Sequence, residues 1–174
     1  MPEFGFSQCA DQPAIVSTKR VVLVSSMVAA ALVAAPGWAH ADNSRLNKAI
    51  VQMVTIIQYR AGCPDSIRVN PQLELAARRH TVDVLNQRRL DGATGSDGSS
   101  PQDRAVAAGY GGTVEETVAI NPALAISGVE VARQWYANPL YYATMENCAH
   151  RDVGVWSENS LDRTVVVAVY GQPE

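Results

Sequence analysis

A charge-free run from Val21 to Ala35 decides how much of this chain can enter a fold. It follows the basic Thr18-Lys19-Arg20 and is too short to cross a bilayer comfortably. It breaks at Pro36-Gly37 ahead of Ala39-His40-Ala41, the small-x-small pattern that seats a chain in a signal peptidase. Residues 1–41 therefore read as leader and signal peptide, cleaved after Ala41, and residues 42–174 as the mature domain, with no stable transmembrane anchor left after cleavage. The stretch ahead of Lys19 is long and carries Glu3 and Asp11. A start at Val16 from an alternative initiation codon would shorten it to a compact leader; an uncleaved anchor is the other reading of the segment. Cleavage also removes Cys9, leaving Cys63 and Cys148 in an oxidising compartment, where two thiols are expected to form a bridge rather than stay as separate buried thiols. No CxxC pair or zinc knuckle accompanies them.

The chain of 174 residues, 47% hydrophobic and 18% charged, has material for one core and is too short for two comfortable domains. A formal charge of −3 argues against a nucleic-acid partner, because neutralising phosphates needs a surplus of Lys and Arg. The basic pairs Arg78-Arg79 and Arg88-Arg89 sit among acids and read as a solvated helix face.

Leu46, Ile50, Met53, Val54 and Ile57 fall at helical spacing between Asp42 and Ala61, with Asn43 or Ser44 as the N-cap and Gly62 as the stop. Asn70-Pro71 opens a second helix to about Leu90, whose stripe is Leu73, Ala76, Ala77, His80 and Val84. The glycines and serines of 91–100 make an irregular loop. Ser100-Pro101 opens a short third helix that ends at Gly109, Thr113–Ile120 reads as a strand, and Asn121-Pro122 is expected to start a fourth helix that Asn138-Pro139 stops. Asp152–Trp156 and Val165–Tyr170 read as a hairpin around a turn at 158–162, and the unbroken apolar second strand should be covered on both faces. The order implies an α+β domain with a mainly antiparallel sheet between helical layers.

From Leu73 onward the chain resembles the CAP superfamily, the domains of cysteine-rich secretory proteins, antigen 5 and pathogenesis-related protein 1, and most nearly its small bacterial secreted members. The resemblance is carried by Leu73-Glu74-Leu75-Ala76-Ala77-Arg78-Arg79-His80, by Gly95-Ser96-Asp97-Gly98-Ser99 with Pro101, Arg104 and Gly109-Tyr110, and by Glu116-Thr117-Val118-Ala119. Trp135 with Asn138-Pro139, and Asp152-Val153-Gly154-Val155, complete the ordered set. It implies a three-layer α-β-α sandwich. It also implies a cleft of two histidines and one or two glutamates, which in many members holds a divalent metal. Matched residue by residue, the glutamate falls on Glu116, the first histidine on Ala93 and the second on Tyr141. Alanine has no donor atom and a neutral tyrosine hydroxyl is a poor zinc ligand, so no metal or other cofactor is expected at this site.

Glu115 and Glu116 are neighbours on a strand and should point to opposite faces, which prevents them from sharing one bond as acid and base. His80 reads as a packed core histidine and His150 as a surface residue. Trp135, Tyr136, Tyr141 and Tyr142 offer amphipathic rings near the expected cleft, suited to a lipid-like ligand and equally to the core. With Glu116, Tyr141, Ala93, Tyr142 and Trp135 as ligand-cleft candidates and no catalytic set, the sequence reads as a secreted or envelope-located, non-enzymatic module. Its partner would be an amphipathic, lipid-like molecule or an envelope or host protein. A hydrolase using Glu116, independent of metal or weakly dependent on it, and a structural envelope protein without a ligand are the alternatives.

Overall fold

Helices enter and leave this domain at the residues that can cap them. The structure is a computed structural model that describes residues 37–174, with side chains from residue 43 onward; the expected leader and the alternative start at Val16 lie outside the described residues up to residue 36. Helix α1 (Gly37–Arg60) starts before the expected caps, so Asn43 and Ser44 lie within it, and Asn43 Oδ1 accepts from Asn159 Nδ2 at 3.0 Å. Gly62, at φ 83°, turns the chain out of the helix end, a conformation that suits glycine. A two-residue strand, β1 (Arg68–Val69), leads to α2 (Pro71–Asn86), where Asn70 Oδ1 accepts from the N–H groups of Gln72 and Leu73. Helix α3 (Pro101–Ala107) has a full capping box between Ser100 and Asp103.

Strand β2 (Thr113–Asn121) runs through the residue that was expected to begin the fourth helix, because its pairing with β4 continues to Asn121 opposite Thr164. Helix α4 (Gly128–Ala137) begins later, capped by Ser127, and Leu124 is left exposed. Asn138-Pro139 ends that helix and at once caps another, α5 (Pro139–Glu146), which the sequence reading did not separate. Strands β3 (Asp152–Ser160) and β4 (Arg163–Gln172) form the expected hairpin.

The sheet order is β1-β3-β4-β2, antiparallel except for the parallel pairing of β1 with β3. Along β4, Val165, Val167 and Val169 pack with α2 and α3, whereas Val166, Ala168 and Tyr170 pack with α1, α4 and α5. Every one of these residues is buried, as expected of a strand between two helical layers. The α+β class and the α-β-α layering follow directly. A Cβ on Gly154 would collide with the main chain of Leu73 and Glu74, so this glycine lets α2 lie directly on β3.

Cys63, just past α1, is bridged to Cys148, just past α5, with Cα atoms 5.1 Å apart and a sequence separation of 85. Replacing both cysteines by serine should lower unfolding stability by about 4–5 kcal/mol in the chain-entropy model. Urea unfolding curves of the two forms, with and without reductant, measure that difference.

Candidate functional site

Strand alternation decides which glutamate can reach which layer. Glu116 and Val118 face α2 and α3, and Glu115 faces α5, where its Oε2 accepts from Thr144 Oγ1 at 2.6 Å. The Glu116 side chain is fully buried, and both of its oxygens lie 3.0 Å from Nη2 of Arg104, on α3. The same guanidinium donates to the Ala93 carbonyl at 2.7 Å from Nη2 and to the Ser99 carbonyl at 2.8 Å from Nη1. Burial pushes the Glu116 carboxyl up to about 7, against the pull of the Arg104 charge and hydrogen bonds.

His80 completes the cluster from α2. Its Nε2 is 3.0 Å from the Gly92 carbonyl and 3.4 Å from Glu116 Oε1. A carbonyl can only accept, so Nε2 carries the proton, and the neutral ring leaves Nδ1 buried without a partner. Burial and then the nearby Arg104 charge hold the His80 pKa below its ordinary value, which keeps the ring neutral. The expectation of a packed core histidine stands, but its contact with Glu116 was not foreseen.

Of the cleft candidates, Ala93 shares Arg104 Nη2 with Glu116 and Tyr141 feels the Glu116 charge, but none hydrogen-bonds Glu116 directly among the described residues. Ala93 is exposed and contributes its carbonyl to Arg104. Tyr141 is half-buried against the α1-side core. Burial pushes its phenol up. Trp135 is fully buried in the core, and Tyr142 lies at the surface with its ring centroid 5.2 Å from that of Tyr136. His150, expected at the surface, is buried instead: Nδ1 donates to the Thr144 carbonyl at 2.9 Å, and Nε2 lies 3.9 Å from Glu115. The disulfide and α5 draw this segment inward, which no local pattern announces.

The metal that the resemblance implies does not fit these residues. Ala93 supplies no side-chain donor, a neutral Tyr141 hydroxyl is a poor zinc ligand, and Glu116 already holds a cation in the Arg104 guanidinium. Among the described residues, no group of three or more His, Cys, Asp or Glu is placed to hold an ion.

An apolar groove lies elsewhere. A groove of about 520 Å³ runs between α1 and the outer edge of β3, lined among others by Lys48, Val51, Val69, Glu74, Trp156 and Glu158. Trp156 Nε1 donates to Glu158 at 3.0 Å, and the Arg78 guanidinium lies over the indole, 5.2 Å from its centroid. Neither Arg104 as the partner of Glu116 nor this groove was identified from sequence, because both depend on contacts between distant elements.

No protein-family model and no curated protein matches the sequence. Solved structures do match. An outer surface protein from Borrelia burgdorferi is 15% identical with a TM-score of 0.66, over 76% of this chain and 96% of that one. An extracellular protein containing an SCP domain, from Bacillus anthracis, is 16% identical with a TM-score of 0.66, over 79% of this chain and 44% of that one, so this chain spans less than half of its length. A cysteine-rich secretory protein from Staphylococcus aureus is 10% identical with a TM-score of 0.54, over 75% of this chain and 39% of that one. With its sheet order, its two helical layers and these likenesses together, the chain has the fold of the CAP superfamily.

Proposed function

We propose that this chain is an exported CAP-fold module that acts by binding and not by bond cleavage. The observation that carries the reading is the Arg104 guanidinium seated on both oxygens of Glu116, which turns the family-type metal position into an internal ion pair. A hydrolase needs its carboxylate within reach of a substrate or water, and the Glu116 side chain has no exposed surface. Binding then falls to surfaces away from Glu116, and the mostly apolar groove beside β3 is the concavity best suited to an amphipathic ligand or a protein segment. The disulfide and the likeness to outer-surface and extracellular proteins support a location outside the cytoplasm.

Three outcomes are expected. Calorimetric titration with zinc should give no stoichiometric binding at neutral pH; tight binding that Glu116→Gln abolishes would overturn the reading. Arg104→Ala, which strands a buried carboxylate, should destabilise the protein by about 3–5 kcal/mol in urea unfolding at pH 8, where a surface pair would lose less than about 1 kcal/mol. Mass spectrometry of the culture medium under non-reducing conditions should find a chain beginning at Asp42 with the Cys63–Cys148 bridge closed. A retained N-terminus would reject the cleavage.

A further inference from the structure

A second pocket, of about 730 Å³, opens between the end of α1, α5 and the start of β2, lined among others by Ala61, Glu115, Leu140, Ala143 and Glu146. The Cys63–Cys148 bridge ties together the segments that follow α1 and α5, and so holds its walls. The lining carries two carboxylates and no Lys or Arg. Even with Arg60, which precedes Ala61, set against Glu115 and Glu146, a negative charge is left over. Arg151 is drawn off by Asp65, with its Nε 3.8 Å from Oδ2. Thr144 Oγ1 donates to Glu115 Oε2 at 2.6 Å, which leaves Oε1 without a partner among the described residues and the side chain 52% exposed. Behind Glu115 stands His150, whose side chain is only 4% exposed. Its Nδ1 donates to the Thr144 carbonyl at 2.9 Å, and the Tyr170 ring flanks it with centroids 5.9 Å apart. With Nδ1 as the donor, Nε2 of the neutral ring is an acceptor. It lies 3.9 Å from Glu115 Oε2, beyond hydrogen-bonding distance, and no donor among the described residues reaches it. Two acceptors thus face each other with no proton between them.

We propose that this pocket binds a primary alkylammonium group, with Glu115 as its counter-ion and His150 Nε2 as a second acceptor. An ammonium head carries three N–H donors and no acceptor, which complements a carboxylate and a lone pair 3.9 Å apart. Charge-assisted bonds of about 2.8 Å to each would let one nitrogen bridge that gap. Leu140 and Ala143 offer the methylene stem an apolar wall. A metal ion needs more than these two ligands, and among the described residues no third His, Cys, Asp or Glu converges on them. A neutral polar ligand would leave the charge of the lining uncompensated. The recognising chemistry is the same for a free polyamine and for a lysine side chain of a partner protein. The site goes beyond the binding reading above, since it uses neither Glu116 nor the groove beside β3.

The test titrates the disulfide-bonded protein calorimetrically at low salt with cadaverine, a five-carbon diamine, and with its diol analogue of the same chain length. Cadaverine should bind saturably at one site and shift the imidazole nitrogen resonances of His150, whereas the uncharged diol should do neither. Glu115→Gln keeps an acceptor for Thr144 and removes the charge, and should weaken cadaverine binding by about tenfold, the loss of one charged hydrogen bond. Nα-acetyl-lysine amide separates the sources: tighter binding than cadaverine points to a partner's lysine, weaker binding to a free polyamine. No saturable binding, equal binding of the diol, or binding that Glu115→Gln leaves unchanged overturns the proposal. Stoichiometric zinc that Glu115→Gln abolishes assigns the pair to a metal and overturns it as well. The zinc test of the closed site is read through Glu116→Gln, so the two sites fail separately.

Discussion

The two-faced burial of β4 is the constraint on which the rest of the domain depends. Val165, Val167 and Val169 are buried under one helical layer and Val166, Ala168 and Tyr170 under the other. Each fully buried apolar side chain contributes about 1.5–3 kcal/mol over its exposed state, so neither layer can be removed without exposing a continuous apolar face. A slip of one residue would exchange the two faces and set the Tyr170 ring against α2, where the small Ala76 and Ala77 and the missing Cβ of Gly154 allow close packing and leave no room for it. The register is thereby fixed, and with it the direction of every side chain on β2, which pairs with β4 from Thr113 to Asn121.

That register places Glu116 in the interior beneath α3, and a buried carboxylate needs a cation. In a metal-binding arrangement an ion would serve. Here Arg104 does, and its Nη1 and Nη2 also hold the carbonyls of Ser99 and Ala93 while its Nε is buried without a partner, so the ion pair also ties down the loop before α3. His80 fits the same economy of charge: between a guanidinium and a buried carboxylate a neutral ring adds no further charge, and its N–H fixes the Gly92 carbonyl. Such a cluster is costly to open, since exposing Glu116 would mean breaking contacts from α2, α3 and the loop together.

Much of the fold was legible because its signals are local. Asn70-Pro71 and Ser100-Pro101 announce helix starts through capping chemistry that acts within one turn, and the apolar stripe from Leu73 to Val84 and the run from Val165 to Tyr170 carry their periods openly. The failures were long-range. Asn121-Pro122 has the same local signature as Asn70-Pro71, yet the pairing of Asn121 with Thr164 overrides it. Asn138-Pro139 was read only as a stop, although a residue that ends one helix can cap the next. His150 carries no local sign of burial, because what buries it is Thr144 on α5 and the covalent tie from Cys148 to Cys63. The candidate site fared similarly. That positions 93 and 141 carry no imidazole is plain from residue type, but the pairing of Glu116 with Arg104 is a contact between α3 and β2 that spacing does not encode.

The two edges of the sheet end up with different fates. At β2, α5 packs against the face that holds Glu115, where Thr144 donates to its carboxylate. At β3 the pairing with β1 reaches only as far as Val153, and beyond it Val155 and Ser157 are buried, with α1, Glu74 and Glu158 bordering the groove, which is one of the ways stable proteins protect a strand edge. The ion pair at Glu116 is thus held in the interior between strand and helix, whereas the apolar groove beside β3 opens at the surface.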